Sequence, residues 1–259
     1  MCLILFAWKA HRRYPLILIA NRDEFYDRPT APAAFWDDAP GLLAGRDLQE
    51  GGTWLGVTRT GRLAALTNYR DPASLKSDVP SRGRLLSDYL RGRGTPEHYL
   101  RGVRRKADQY NSFNLLAGNL TELFCYSNRG GLLAVPPGIH GISNHLLDTP
   151  WPKVRAGKEA LARALKESRK PSPEGLFALL ADRSLPPDDQ LPATGVGLEW
   201  ERLLAPRFIV SPHYGTRSST VLIIDGRGRV TLVERAYNGS AEPWMTSRFD
   251  FQIGKARKR

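Results

Sequence analysis

The chain has 259 residues, 41% hydrophobic and 25% charged, a composition that excludes an intrinsically disordered chain. No apolar run approaches the roughly 18 residues of a membrane span, and two cysteines, Cys2 and Cys125, cannot build a disulfide framework. Lysine and arginine number 38 against 26 acidic residues, a formal charge of +12, yet no helix-turn-helix, zinc-finger or RNP-like signature points to nucleic acid.

Cys2 to Trp8 and Leu16 to Ala20 are short apolar runs on either side of the turn-forming Tyr14-Pro15, which predicts a hairpin. No basic residue precedes the first run, and Lys9, His11, Arg12 and Arg13 interrupt it, so the start does not read as a secretory signal. With two free thiols, a reduced, cytoplasmic setting is expected. Gly51-Gly52-Thr53-Trp54-Leu55-Gly56 lacks GxGxxG and a Walker lysine, and reads as a tight turn into a strand. Thr53 to Arg59 and Leu63 to Asn68 flank Thr60-Gly61 and predict a second hairpin.

Leu85, Leu86, Tyr89 and Leu90 share a helix face, and Glu97 to Gln109 continues the helical pattern. The basic stretch from Arg82 to Lys106 is expected on outer helices as a solvated face. Phe113 to Ala117 and Leu120 to Tyr126 predict a third hairpin around Gly118-Asn119. Lys153 to Ser168 and Pro173 to Asp182 read as helices, and Ser184 to Thr194 as a surface loop. Thr220 to Ile224 and Val230 to Arg235 predict a fourth hairpin. Hairpins separated by helices predict mostly antiparallel sheets packed together with helices outside, not a parallel dinucleotide-binding sheet. One domain over residues 1–259 is expected, with a basic tail at 254–259.

Polar clusters stand at the strand ends. Removal of Met1 would make Cys2 the first residue, and its α-amine, with a reference pKa of about 7.7–8.0, could serve as base for its own thiol. Taken alone, Cys2 reads as a small apolar residue opening a buried strand. Asn21-Arg22-Asp23-Glu24 follows the second strand and returns close to Cys2; it can orient an amine, or form a turn held by Arg22 and Asp23. Thr67-Asn68-Tyr69-Arg70, Gly141-Ile142-Ser143-Asn144 and the segment from Tyr214 to Thr220 close or open other strands. Asparagine amides there can donate to an oxyanion, and Arg217 can hold a carboxylate or favour a thiolate. The five histidines have no metal-binding spacing, so no metal site is expected.

Cys2, the Asn21–Glu24 tetrad, GGTWLG, TNYR, NSFNLL, GISN and YGTRSSTVL, in that order from Cys2 to about Arg235, resemble the NRDE, or transport and Golgi organisation 2, family. The resemblance implies an N-terminal nucleophile hydrolase-like α+β fold, a four-layer αββα sandwich. It is similar to amide hydrolases of the penicillin V acylase and choloylglycine hydrolase group. By that resemblance Cys2 matches the nucleophile, Asn68 the oxyanion donor, Asn144 the second asparagine and Arg217 the late arginine. Arg22 and Asp23 would complete the catalytic set, Asp23 orienting the α-amine. Aligned on Ala20 and Phe25, Asn21 falls where the acylases have Arg and Glu24 where they have Asp. Asn21, Glu24, Trp54 and Tyr69 are the expected substrate contacts. The implied function is cleavage of a C–N amide bond of a small molecule. The alternative that the family implies is a non-catalytic carrier of haem or an acyl-CoA or lipid, with haem as cargo and not as a resident cofactor. Neither reading implies a nucleic-acid partner or stable insertion into a membrane.

Overall fold

The structure is a computed structural model that describes residues 2–168 and 170–254. The expected hairpins form. Cys2–Trp8 (β1) pairs with Leu16–Phe25 (β2), and Leu55–Thr58 (β5) with Leu63–Asn68 (β6). Phe113–Gly118 (β7) pairs with Leu123–Ser127 (β8), and Tyr214–Ile224 (β11) with Arg229–Ala236 (β12). β8 starts three residues later than the sequence suggests. The Asn119 Oδ1 accepts from the backbone N–H groups of Thr121 and Glu122, and this side-chain-held turn consumes the residues.

Five further strands were not legible. They are Thr30–Trp36 (β3), Ala39–Asp47 (β4), Gly131–Ala134 (β9), Gly138–Ile142 (β10) and Met245–Gln252 (β13). Four of them, β3, β9, β10 and β13, occupy sheet edges, where little burial is demanded and Pro32 or glycines are tolerated. One sheet runs β10-β1-β2-β11-β12-β13 and the other β3-β4-β5-β6-β7-β8-β9, and every pairing is antiparallel.

Period-2 alternation sorts the side chains into layers. Ile4, Phe6, Trp8, Leu16 and Leu18 pack between the sheets against Leu43, Val57 and Leu116. Leu3, Leu5, Ile17 and Ile19 face the other way, onto helices Pro152–Glu167 (α3) and Pro173–Leu180 (α4). The second sheet buries its outer face under Arg82–Arg91 (α1) and Pro96–Arg104 (α2) through Leu85, Leu86, Tyr89 and Leu100. Three apolar layers therefore separate four layers of structure, the expected αββα order. A short helix, Leu198–Leu203 (α5), follows the loop after α4. No helix among the described residues is long and apolar enough to cross a membrane. The basic residues Lys255, Arg257, Lys258 and Arg259 lie outside the described residues.

Candidate active site

The site is set by the open end of the β1–β2 hairpin, where Cys2 pairs with Arg22. Even-numbered residues of these strands face the space between the sheets, so Cys2, Arg22 and Glu24 point into it. The Asn21 and Asp23 side chains bond on the opposite face, although Asp23 also borders the cavity. The fully buried Asn21 amide donates to the carbonyls of Leu180 (3.0 Å) and Arg207 (2.6 Å), and its oxygen accepts from Ser219 (2.6 Å). It ties β2 to the helix layer, and these side-chain hydrogen bonds are made within the protein. The buried Asp23 carboxylate accepts from the Thr216 hydroxyl at 2.8 Å on β11. One tetrad thus serves two layers.

A cavity of about 220 Å³ opens between the sheets. Cys2, Arg22, Asp23, Glu24, Trp54 and Asn68 all line it, as do Arg28, Asp47 and Glu50. Arg22 lies 4.3 Å over the Trp54 ring and donates to the Thr30 hydroxyl at 3.3 Å. Trp54 fits because residue 45 is glycine: a Cβ there would meet the indole at 2.2 Å. Asn68 ends β6, and none of its hydrogen bonds to described residues uses its side-chain amide. That amide is available to a ligand in the cavity.

Three more expected site residues, besides Asn21, are placed elsewhere. Arg217 is the extra residue of a β-bulge, since Thr216 pairs with Asp23 while Ser218 pairs with Arg22. The bulge re-aims its side chain, and Nη1 donates to the carbonyls of Phe25 (2.7 Å), Tyr26 (3.1 Å) and Arg28 (3.1 Å). Arg217 braces the β2–β3 turn and does not line the cavity. The fully buried Asn144 donates its amide to the Asn68 carbonyl at 2.8 Å and so positions Asn68, with no amide hydrogen bond aimed at Cys2. Beside it, the Ser143 hydroxyl donates to the Cys2 carbonyl at 2.9 Å. The Tyr69 ring stacks at 4.8 Å on His145, away from the cavity.

Two contributors lie outside the motifs read from the sequence. The first is the start of α1, where Ser81, Arg82 and Gly83 line the cavity. Arg82 therefore belongs to the site, against the expectation of a solvated basic helix. A backbone contact across long sequence separation brings it there: Thr53 N–H donates to the Gly83 carbonyl at 3.3 Å, and a Cβ on Gly52 would sit 2.5 Å from the Gly83 carbonyl carbon. The second is Lys153 in the first turn of α3, buried, with its ammonium donating to the Leu204 carbonyl at 2.8 Å. Its only sequence signal is a lysine at the start of an amphipathic helix, which ordinarily marks a solvated position.

Electrostatics follow from this packing. Burial pushes the Cys2 thiol above its ordinary value. The Asp23 carboxylate pushes it further, while Arg22 and a hydrogen bond from the Asp23 backbone N–H pull it down. The arginine that favours the thiolate is thus Arg22, not Arg217. Burial also raises Asp23, against the attraction of Lys153 and the hydrogen bond from Thr216. Burial lowers Lys153 to about 8, with Asp23 as the chief charge opposing that shift. Asp23 and Lys153 are both buried, each drawn towards its neutral form by burial and towards its charge by the other.

The lining does not suit haem. It is dominated by charged groups, contains no histidine, and encloses less than the roughly 300–1,000 Å³ of pockets for drug-sized ligands. No group of three or more His, Cys, Asp or Glu among the described residues is placed to hold a metal ion.

The layer order defines the class of fold, which is N-terminal nucleophile hydrolase-like. The C2A mutant of conjugated bile acid hydrolase from Clostridium perfringens aligns over 100% of this chain and 99% of its own, with a TM-score of 0.53 at 7% identity. Residues 1–239 match the Transport and Golgi organisation 2 family, and the chain belongs to that family. It is 37% identical to the Transport and Golgi organization protein 2 homolog of Bos taurus, over 98% of this chain and 99% of the relative. It is 30% identical to Transport and Golgi organization protein 2 of Drosophila melanogaster, over 92% and 93% respectively.

Proposed function

We propose that the protein is a cysteine amide hydrolase acting on a small molecule. The observation that supports this reading is that Cys2, Arg22 and Asn68 line one polar cavity. The bile acid hydrolase of similar fold cleaves a conjugate, and an amide is the corresponding bond here.

The chemistry requires a base beside a thiol that burial holds protonated. Excision of Met1 supplies it as the α-amine of Cys2 itself. That amine takes the thiol proton as the sulfur attacks the amide carbon. The carbonyl oxygen becomes an oxyanion, and the Asn68 amide donates to it. The C–N bond breaks as the amine nitrogen receives the proton, leaving an acyl thioester on Cys2. Water, deprotonated by the same α-amine, attacks the thioester, and the thiol and a carboxylic acid are released. Arg22 stabilises the negative charge on the sulfur as the thiol loses its proton and again as the sulfur leaves the acyl group, and Asp23 with Lys153 anchors the amine end of β1 against the helix layer. A free thiol in this role fits a reducing, cytoplasmic setting.

The test is a panel of amides and thioesters incubated with protein from which Met1 has been removed, and with Cys2→Ala. Turnover by the wild type that is lost in the variant is the expected result. A panel that neither protein cleaves, or that both cleave equally, contradicts the proposal.

A further inference from the structure

We propose that the substrate carries a single carboxylate beside its scissile amide, and that Arg82 binds it. This rests on the hydrolase reading of the same cavity.

Three arginines, Arg22, Arg28 and Arg82, line the cavity. Arg28 is committed to Asp47 at 2.6 Å. Arg22 is stacked on Trp54 and bonded to Thr30. Arg82 donates through Nη1 to the Ser112 carbonyl at 3.1 Å, and among the described residues no carboxylate lies within ion-pair distance of it. A guanidinium has five N–H donors in a planar fork that matches a carboxylate. Burial disfavours its charge; Glu24 and the Cys2 sulfur are the neighbours that favour it. Both of those groups line the same cavity, so the space between them and Arg82 is where a ligand sits.

The local sequence around Arg82 points the same way. Arg82 is the first residue of the ten-residue α1, whose first turn contains no acidic residue. Cations at a helix start oppose the helix dipole, and acidic residues are the stabilising choice there. An arginine held at that position, desolvated and without an acid, offsets its cost when an anion arrives. The Gly52–Gly83 backbone contact fixes the helix start against the turn that carries Trp54, so Arg82 lines the same cavity as Cys2.

The charge balance selects the kind of anion. Three arginines share the cavity with Asp23, Glu24, Asp47 and Glu50. Such a lining accepts one negative charge at Arg82 and repels a dianion. A carboxylate suits it and a phosphate does not. The substrate class is then an N-acyl amino acid or the monoamide of a dicarboxylic acid, which place the carboxylate on the amine side and the acyl side of the scissile bond respectively.

Binding to Cys2→Ala protein, measured by calorimetry, separates recognition from turnover. The probes are N-octanoylglycine, N-hexylsuccinamic acid, the uncharged carboxamide of each, and inorganic phosphate. At least one acid is expected to bind about 10- to 100-fold more tightly than its carboxamide, the range of a charged hydrogen-bonded pair. Arg82→Gln is expected to erase that preference, Arg82→Lys to restore part of it, and phosphate to bind more weakly than the preferred acid. The acid-against-carboxamide comparison needs no change at Arg82, so it stands even where Arg82→Gln fails to fold. Equal binding of acid and carboxamide, tighter binding of phosphate, or no binding by any probe overturns the proposal. If the preferred acid binds but wild-type protein with Met1 removed leaves its amide intact, the hydrolase reading fails while the carboxylate site stands.

Discussion

The two faces of β2 carry different kinds of polar residue, although the four residues concerned are consecutive. On the cavity face, Arg22 and Glu24 line open space with Cys2. On the helix face, Asn21 and Asp23 are 0% and 1% exposed and bond to Leu180, Arg207, Ser219 and Thr216. Strand alternation divides a contiguous motif into groups that meet the ligand and groups that hold the strand. The difference teaches that a motif's residues are not interchangeable evidence for chemistry: substitutions on the two faces should separate into losses of turnover and losses of stability.

The largest expected effect is on the cavity face. Cys2→Ala should lower turnover by about 10³-fold or more without shifting the melting temperature, because the nucleophile is lost from a site already folded around it. Next, Asn68→Ala should lower kcat by about 100-fold with KM little changed, the size expected for one oxyanion donor. Steady-state kinetics on the best amide of the panel measure both.

The helix face should show the reverse. Asn21→Ala leaves two buried carbonyls and the Ser219 hydroxyl without their partner, so a loss of about 3 kcal/mol in urea unfolding is expected, with the folded fraction still active. Arg217→Gln removes the guanidinium from three carbonyls of the β2–β3 turn. About 2 kcal/mol of stability should go with it, while KM stays unchanged because Arg217 does not line the cavity. A large rise in KM for Arg217→Gln would return that arginine to the site.

The smallest effect concerns the loop that carries Asn144. Partial burial alone would raise Asp148, but His140, Lys158 and the Gly141 N–H hold it down at about 2. A depressed carboxyl contributes stability above its unfolded value, lost as pH falls through the folded value. Asp148→Asn should therefore cost about 1 kcal/mol at pH 7, discounted for a side chain 32% exposed, and the gap from wild type should close towards pH 2. Thermal unfolding at pH 7, 4 and 2 reads this directly.

What could be read in advance divides along physical lines. Hairpins such as β1–β2 and β5–β6 declare themselves through apolar runs around turn residues, and these place Cys2, Arg22 and Asn68 at neighbouring strand ends. Arg217 could not be placed, because one extra residue in a bulge reverses the direction of a side chain without altering the strand pattern around it. Arg82 was hidden for a different reason. It sits in a run of basic residues that looks like a solvated face, and only the contact between Gly52 and Gly83, 31 positions apart, turns its helix start inward. Lys153 was hidden likewise, since nothing local marks a helical lysine as buried.

The most direct test of Cys2 as the nucleophile is to trap its thioester. Protein with Met1 removed is mixed with a saturating amide of the panel, quenched in acid within the first turnover, digested and analysed by mass spectrometry. The N-terminal peptide should gain the mass of the acyl group, lose it on hydroxylamine treatment, and show no gain in Cys2→Ala. Amide turnover with no acyl group on Cys2, or turnover that survives in Cys2→Ala, would contradict the account.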